Sequence, residues 1–269
     1  MTQDSRKLNE EGRAMWDTKA AFWDELMGEE GNRFHRELIG PAVEALLDLR
    51  AGERVLDVAC GSGMLARRMA SLGAAVTAVD FSAELLKRAQ ARGQSGGTAI
   101  RYLQADATDE EALAAFGEGM FDALTCTMAL MDMPEIGPLY RAARRLLKPD
   151  GRFVFATMHP AFNSNNPVFT AELADVDGEL LLTNALKISR YMDIPPEKGM
   201  GAKNEPSPHY YYHRPLHELL GEAFAAGLVL DGLIEAAFDP EKVDPDRLLS
   251  WYSFPQIPPV LAGRFRVGK

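Results

Sequence analysis

The sequence lacks several features that would assign a protein to a specialised class. No apolar run approaches the roughly 18 residues of a transmembrane helix, and residues 1–7 are polar, without an apolar signal core. Only two cysteines occur among 269 residues, which favours small packed thiols in a reducing compartment over a disulfide framework. We therefore predict a cytoplasmic protein without a membrane partner.

Positive charge is also scarce. The chain has 29 Lys and Arg residues against 39 Asp and Glu residues, a formal net charge of −10. A nucleic-acid interface needs a basic face, so we expect no RNA or DNA partner. The hydrophobic fraction of 46% and the charged fraction of 25% are typical of a globular chain, and the length allows one large domain with an insertion.

The most informative segment is a predicted buried strand at 54–58 that contains Asp57 and leads into a turn with Gly61 and Gly63. An acid in an apolar strand is costly without a partner. The glycines allow the backbone to approach a ligand, and the next helix offers free N–H groups. A second predicted strand ends at Asp80. This order of strand, turn, helix, strand and acid is typical of a nucleoside-binding α/β unit.

Two ligands suit this unit, a dinucleotide and S-adenosylmethionine. Residues 61–66 match the dinucleotide pattern G-x-G-x-x-G/A, and Asp80 follows Gly61 by 19 residues, as a ribose-binding acid would. However, an ionised Asp57 would repel a pyrophosphate, whereas it complements the α-ammonium and sulfonium groups of S-adenosylmethionine. The pattern favours the methyl donor and leaves an NAD(P)-dependent oxidoreductase as the alternative.

Five segments in order resemble the motifs of class I S-adenosylmethionine-dependent methyltransferases. They are residues 55–63, 79–82, 104–107, 121–125 and 146–153. The resemblance is specific over about 32–157 and looser over 213–269. It implies a small-molecule type of methyltransferase that converts S-adenosylmethionine to S-adenosylhomocysteine.

The alternation of predicted strands and helices indicates an α/β fold. We predict a Rossmann-like, doubly wound, mostly parallel seven-stranded sheet, with an N-terminal helical segment and a cap insertion after strand 5. The predicted divisions are 1–50 for the helical segment or lid, 51–157 for the cofactor-binding core, 158–212 for the cap and 213–269 for completion of the sheet. Within the cap, 179–183 and 186–191 are predicted to form a hairpin.

The cofactor suggests a role for each acid. Asp80 would accept hydrogen bonds from the ribose hydroxyls, Asp57 would hold the α-ammonium, and Asp106 would face the adenine, with Phe81 stacking on it. Their alternatives are a helix cap for Asp80 and bonds to nearby amides for Asp57. Asn32 is either an N-cap or, by the resemblance, a contact near the methionine end. Further expected cofactor contacts are Ala59, Cys60, Gly61, Gly63, Ser82, Ala107, Thr125 and Met128.

Methyl transfer needs a general base only for a poor nucleophile. His159 and His213 are the candidate catalytic residues, with hydrogen-bonded packing as the alternative for each. His213 and His217 have a metal-compatible spacing, but no acid or cysteine completes a set, so we expect no metal. Trp23, Tyr211 and Arg214 are the candidate substrate contacts, with a packing seam in the cap as the alternative.

The sequence thus predicts a methyltransferase that acts on a small-molecule acceptor, as a monomer or homodimer. Besides the oxidoreductase, a catalytically silent cofactor-binding module remains open. A protein or RNA substrate is disfavoured by the acidity and by the compact cap. Neither the acceptor nor the methylated atom is specified by these residues.

Overall fold

The computed structural model describes residues 3–93, 99–164, 167–242 and 248–268. The helices are α1 Gln3–Met27, α2 Gly40–Leu47, α3 Met64–Ser71, α4 Ala83–Ala91, α5 Glu110–Ala114, α6 Gly137–Leu146 and α7 Leu216–Ala225. The strands are β1 Arg54–Val58, β2 Ala75–Asp80, β3 Arg101–Gln104, β4 Phe121–Thr127, β5 Leu147–Met158, β6 Val168–Val176, β7 Glu179–Lys187, β8 Glu197–Gly199, β9 His209–Tyr211, β10 Leu228–Ala236 and β11 Val260–Val267. A π-helical turn, His35–Ile39, precedes α2, and short 3-10 turns occur at Leu130–Asp132, Pro240–Lys242 and Trp251–Ser253.

The central sheet has seven strands in the order β10-β11-β5-β4-β1-β2-β3. The five strands β1 to β5 pair in parallel, and β11 pairs antiparallel to both β5 and β10. The predicted doubly wound, mostly parallel seven-stranded sheet is therefore confirmed. The chain runs outward from β1 to β3 and then returns to β4, so a switch point lies between β1 and β4, where ligands bind in such sheets.

Both faces of the sheet are apolar, which explains the continuous hydrophobic runs in its strands. Leu56, Leu124 and Phe155 belong to the core under α6 and α7. Their neighbours Val55 and Ala123 belong to the core under α2 and α3. Because strand side chains alternate, a strand with apolar residues at every position can bury both of its faces.

Helix α1 is attached along α4 and lies over the carboxyl edge of the sheet. Asp17 Oδ1 accepts hydrogen bonds from Ser82 Oγ at 2.6 Å and from Glu84 N at 3.3 Å. Further along α1, Asp24 Oδ1 accepts from Arg92 Nε at 2.5 Å. Ser82 itself accepts from Leu85 N and is the N-cap of α4. These ties hold the first helix across the ligand-binding edge.

The predicted hairpin in the cap is wrong, because its two strands are not the ones that were predicted to pair. Strand β7 covers 179–187 and pairs with β6, not with residues 186–191. The turn between them is Asp177-Gly178, with φ of 56° and 85°. An Asp-Gly pair with two positive φ angles is the preferred two-residue hairpin turn, and this local signal sets the observed pairing.

Strand β5 begins at Leu147, directly after α6. The register against β4 shifts between Phe121 and Ala123, so the Pro149-Asp150-Gly151 turn is absorbed as an irregularity in the strand. Over the described residues, no helix combines the length and apolar character needed to cross a bilayer.

Candidate active site

The turn after β1 adopts a backbone conformation that few side chains tolerate. Ala59, Gly61 and Gly63 have φ of 55°, 56° and 76°. At Gly63 a Cβ would lie 2.5 Å from the Tyr102 hydroxyl, so only glycine fits, whereas at Gly61 the same position is open. Positive φ at Ala59 is strain of the kind that surrounding structure must hold in place, and it accumulates at functional sites.

Asp80, at the end of β2, is fixed by two backbone amides. Its Oδ2 accepts from Gly61 N at 2.8 Å, and its Oδ1 accepts from Ser82 N at 2.9 Å. An ionised carboxylate offers about four lone-pair sites, so each oxygen keeps one acceptor position. The side chain lines the main cavity. Asp80 is thus oriented by the glycine turn and still able to accept two more hydrogen bonds.

Asp57 lies beneath this turn and is buried among apolar strands. Its Oδ1 accepts from Thr125 Oγ1 of β4 at 2.7 Å. The pKa of Asp57 is raised to about 7, chiefly by burial and also by the charge of Asp80, while the Thr125 bond opposes the shift. Burial likewise raises the pKa of Asp80 to about 6, against the two amide bonds. Two carboxyls with raised pKa values beside one turn create a strong preference for a cationic ligand.

Asp106, after β3, is the third acid at this edge. Its Oδ1 accepts from Thr108 N at 2.8 Å and from Thr108 Oγ1 at 2.7 Å, and its Oδ2 accepts from Asn9 Nδ2 of α1 at 2.5 Å. Phe81 and Ala107 line the cavity next to it. The first helix therefore closes the cavity on the side of Asp106.

One cavity of about 700 Å³ extends from these acids to the underside of α1 and the cap. This volume lies within the usual range of small-ligand sites. Its far wall is aromatic and sulfur-rich, with Trp16, Trp23, Met131, Met200 and Tyr211. Trp16 and Trp23 are seven residues apart on α1, and their rings lie 5.7 Å apart. The cavity thus has an acidic end and an aromatic end.

A buried ionic cluster supports the aromatic end. Lys19 Nζ lies 2.8 Å from Glu205 Oε1 and 2.5 Å from His209 Nδ1, and the side chains of Lys19 and Glu205 are fully buried. Glu205 Oε1 also accepts from Trp23 Nε1 at 2.8 Å, and Oε2 accepts from Gly201 N. Burial lowers the pKa of His209 to about 4, and the charge of Lys19 acts in the same direction. His209 is therefore neutral.

Asp132, in the turn after β4, completes this end of the cavity. Its Oδ1 lies 3.7 Å from His209 Nε2, which is beyond hydrogen-bond distance, and no described residue bonds to that oxygen. Burial holds the pKa of Asp132 well above its usual range; Lys19 opposes this shift and Glu205 adds to it. Tyr212 Oη and His213 Nδ1 are two further buried polar atoms of the cavity wall without a partner among the described residues.

Comparison with known proteins identifies the core. Residues 56–155 match the family model described as a methyltransferase domain. This segment of the chain is a methyltransferase domain. The resemblance that the sequence motifs indicated is confirmed for it.

Three similar proteins match more of the chain than this methyltransferase domain, one by its sequence and two by their structures. A ubiquinone biosynthesis O-methyltransferase of Xanthomonas oryzae pv. oryzae is 44% identical over 117 residues, 44% of this chain and 47% of the relative. The chain spans about half the length of the curated relatives that it matches. An S-adenosylmethionine dependent methyltransferase from Mesorhizobium loti superposes with a TM-score of 0.64 over 84% of this chain and 96% of that one, at 24% identity. The glycopeptide N-methyltransferase MtfA, solved with S-adenosylmethionine, gives a TM-score of 0.55 over 86% of this chain and 94% of that one, at 15% identity. These structures share the fold.

The methyltransferase domain and its two flanking segments bring most of the predicted site residues to one cavity. Those that line it are Trp23, Asn32, Ala59, Cys60, Gly61, Asp80, Phe81, Asp106, Ala107, Met128, Tyr211, His213 and Arg214. Those behind its wall are Asp57, Gly63, Ser82, Thr125 and His159. Asn32 Oδ1 accepts from His35 N at 3.1 Å, as an N-cap would, and the side chain still faces the cavity.

His159, at the end of β5, is not brought to the cavity. It is 2% exposed, its Nε2 lies 2.8 Å from Glu235 Oε1 of β10, and its Nδ1 accepts from Ala161 N at 3.2 Å. With both ring nitrogens engaged behind the cavity wall, the geometry is that of a packed, hydrogen-bonded histidine. These contacts support the packing alternative for His159, and its role as a base stays a prediction.

Arg214 and His213 reach the cavity wall with most of their polar atoms engaged. The Arg214 guanidinium donates to the carbonyls of Leu130, Tyr212, Met133 and Pro134, so the fork that would bind a substrate carboxylate is already occupied. His213 Nε2 donates to Tyr191 O at 2.5 Å. Arg214 instead holds the turn that presents Asp132, since two of its bonds are to residues that flank this acid.

The residues that sequence reasoning missed are Lys19, Glu205, His209 and Asp132. Each is an ordinary charged or polar residue in a segment without a motif, and the bonds between them join residues as far apart as 190 positions. One available signal was the pair of tryptophans on α1, seven positions apart, with Lys19 between them on the buried side of the helix. Among the described residues, no group of three or more His, Cys, Asp or Glu side chains is arranged to hold a metal ion.

Proposed function

We propose that this chain is an S-adenosylmethionine-dependent methyltransferase that transfers the methyl group to a small-molecule acceptor by in-line displacement. The observation that carries the proposal is the orientation of Asp80 by Gly61 N, with two acceptor positions left at the mouth of the methyltransferase domain. A vicinal diol of a ribose supplies two donors for those positions. The aromatic end of the same cavity provides room for an acceptor.

The acids around the turn support a cationic cofactor over a pyrophosphate. Asp57 lies directly under the turn, and Asp80 and Asp106 line the same edge. An ionised pair of carboxylates would repel the charges of a dinucleotide, whereas it stabilises an ammonium and a sulfonium. The nicotinamide oxidoreductase is accordingly the weaker proposal. For the transfer itself, S-adenosylmethionine supplies the activated methyl group, and the chain binds, orients and excludes water.

The name of one similar protein supports a small-molecule acceptor, and the name of another supports the cofactor. The Xanthomonas relative is named a ubiquinone biosynthesis O-methyltransferase, and the Mesorhizobium structure is named an S-adenosylmethionine dependent methyltransferase. A hydroxyl on a ring would fit an aromatic wall. The matched part of the Xanthomonas relative is about half of its length, so its acceptor is a guide to chemistry only. An acceptor with an apolar, planar body is consistent with Trp16, Trp23 and Tyr211 around the aromatic end.

Calorimetric titration with S-adenosylhomocysteine and, separately, with NAD⁺ tests the cofactor. We expect one site for S-adenosylhomocysteine and no heat with NAD⁺. Binding of NAD⁺ alone would support the oxidoreductase. Binding of S-adenosylhomocysteine without methyl transfer to any member of a broad acceptor panel would favour a catalytically silent module.

The remaining expectations concern the setting of the enzyme. Both cysteines, Cys60 and Cys126, are unpaired, which supports action in a reducing cytoplasm. We keep the division into a lid at 1–50, a core at 51–157, a cap at 158–212 and a completing segment at 213–269. A monomer or homodimer is proposed, and light scattering would measure it.

A further inference from the structure

We propose that Asp132 is the general base of the reaction, and that it takes the proton of an acceptor hydroxyl attached to an aromatic ring held between Trp16, Trp23 and Tyr211. This inference rests on the proposed methyl transfer and deepens it. It assigns a catalytic residue in a segment where the sequence motifs indicated none.

The first argument is the state of the Asp132 carboxyl. Its Oδ1 is buried and has no hydrogen-bond partner among the described residues, although its side chain lines the cavity and keeps 11% exposure. Buried polar atoms are nearly always bonded, so a carboxylate oxygen left without a bond beside a cavity indicates a ligand that supplies one. The 3-10 turn Leu130–Asp132 is held by Arg214, which donates to Leu130 O and Met133 O on either side of the acid.

The second argument excludes His209 as the base. Lys19 Nζ lies 2.5 Å from His209 Nδ1, so Nδ1 accepts and the ring proton resides on Nε2. That N–H points toward Asp132 Oδ1 at 3.7 Å. His209 therefore has no lone pair to offer an acceptor, and it acts as a positioning residue that can donate to the Asp132 carboxylate. Lys19 fixes this tautomer from behind by donating to Nδ1, and Glu205 Oε1, 2.8 Å from Lys19 Nζ, holds the lysine in place.

The third argument compares Asp132 with His213, whose Nδ1 also lacks a partner among the described residues. Protonation of His213 would place a cation beside Arg214, and that charge lowers the pKa of His213 together with burial. Protonation of Asp132, in contrast, removes a negative charge from a buried position near Glu205. Burial favours the neutral form of this carboxyl, and the charge of Glu205 acts in the same direction. A proton taken up in this cavity is therefore more stable on Asp132 than on His213.

The fourth argument gives the chemical class of the acceptor. The rings of Trp16 and Tyr211 lie tilted against the His209 ring, with centroid distances of 4.9 and 4.4 Å. Trp23 donates a hydrogen bond to Glu205. These rings have few ways to move and form walls suited to a flat, apolar body. A single carboxyl among such walls can bind one donor group, which matches one ring hydroxyl.

The chemical step balances within these groups. The hydroxyl oxygen of the acceptor forms a bond to the methyl carbon as the bond from that carbon to the sulfonium breaks, and the electron pair stays on sulfur, giving the neutral thioether. The hydroxyl proton passes to the Asp132 carboxylate. The His209 Nε2–H, 3.7 Å from Asp132 Oδ1, makes no hydrogen bond to it and contributes only the favourable dipole of a nearby donor before transfer.

The test uses two phenolic probes with radiolabelled S-adenosylmethionine at mildly alkaline pH. 4-Nitrophenol is then largely a phenolate and needs no base, whereas 2-naphthol keeps its proton. We expect Asp132→Asn to lose about 100-fold or more in transfer to 2-naphthol, the usual contribution of a general base, and to keep most of its transfer to 4-nitrophenol. Asp109→Asn, at the N-cap of α5 and away from the main cavity, is the matched control and should transfer to both at the wild-type rate.

Several results would overturn the proposal. If Asp132→Asn loses methyl transfer to both probes equally, or retains it equally, Asp132 does not take part in proton transfer. Selective loss of 2-naphthol transfer in His213→Gln but not in Asp132→Asn would move the base to His213. If the wild-type protein binds S-adenosylhomocysteine but transfers to neither probe, and neither changes its tryptophan emission, the aromatic acceptor is wrong while the cofactor assignment stands. If the wild-type protein does not bind S-adenosylhomocysteine, the proposed function itself is wrong.

Discussion

The two ends of the cavity are built by different means. At the acidic end, the bond from Gly61 N to Asp80 joins residues 19 positions apart and uses the backbone of one strand–turn–helix unit. At the aromatic end, the contact between Lys19 and His209 joins residues 190 positions apart and uses side chains only. The acidic end therefore depends on local geometry, and the aromatic end depends on the docking of α1 against the cap.

This difference has an energetic consequence. Backbone amides at a turn are present in every sequence that folds this way, so Asp80 is satisfied with little further cost. Lys19 and Glu205 must be transferred from water to a dry site, where their attraction barely offsets the desolvation. Such a cluster is a poor means of stabilising a fold, and its presence beside the cavity is more readily explained by a role in binding or chemistry.

The largest effect should come from breaking the buried pair. Lys19→Met leaves Glu205 buried without its cation, and the free energy of unfolding should fall by about 3–5 kcal/mol in urea denaturation. Lys87→Met, which removes an exposed partner of Glu84, is the matched control and should cost less than about 1 kcal/mol. Affinity for S-adenosylhomocysteine should stay near that of the wild type in conditions where the variant is folded; a parallel loss would show that the two ends are coupled.

The next effect concerns the acidic end. Asp80→Ala should weaken S-adenosylhomocysteine binding by about tenfold or more, because it removes charge-assisted acceptors for the ribose. Asp109→Ala also loses two backbone bonds from an N-terminal turn, to Glu111 N and Ala112 N, but lies away from the main cavity. Calorimetry that finds equal affinity for the two variants would separate Asp80 from the ribose.

A smaller, pH-dependent effect is expected at Asp57. Its pKa is raised from 3.8 to about 7 in the folded chain, so its contribution to stability is present at acid pH and is lost as the pH rises toward 7. Asp57→Asn should remove this decline and be more stable than the wild type at pH 8, by roughly 1.4 kcal/mol for each pH unit that separates the folded and unfolded pKa values.

The matched variant for Asp57→Asn is Asp122→Asn, for which the expected change in stability has the opposite sign. The pKa of Asp122 is lowered beside Lys148, so Asp122→Asn should be less stable than the wild type at neutral pH, where the wild-type carboxyl is ionised, and the difference should shrink in acid. Chemical denaturation across pH measures both variants. A difference between Asp57→Asn and the wild type that does not change with pH would contradict the burial argument.

The smallest effect is expected at His159. Because its ring is engaged by Glu235 and Ala161 behind the cavity wall, His159→Gln should leave methyl transfer to 4-nitrophenol and 2-naphthol close to wild type. A fall of about 100-fold confined to 2-naphthol would restore it as the base. Comparison with Asp132→Asn in the same assay gives the sharpest contrast.

Much of the core could be predicted from the sequence, because its signals are local. Apolar runs in β1 and β4, the glycine turn and the N-cap Ser82 each depend on residues a few positions apart. The cap was harder to predict. Its register depends on the Asp177-Gly178 turn, and the strand β9 pairs with β8 across a loop of nine residues that carries no periodic pattern.

The candidate site divides in the same way. Asp80, Gly61 and Asp106 were predictable because the carboxyl ends of parallel strands meet at one edge. His159 does not line the cavity, and the pattern that ends β5 does not state which way this side chain turns once β10 and β11 pack beside it. Asp132 gave no signal, since a single acid after a strand is common.

The order of residues by itself determined the sheet, the turn under the ligand and the acids at its edge, because strand periodicity, glycine conformation and helix capping act over a few residues. Only the tertiary structure decided which charged groups were taken out of water and which cavity wall they support. No contact joins these four side chains, Lys19, Glu205, His209 and Asp132, until α1 lies over the cap. Their protonation is then set by desolvation, which is a property of the assembled molecule.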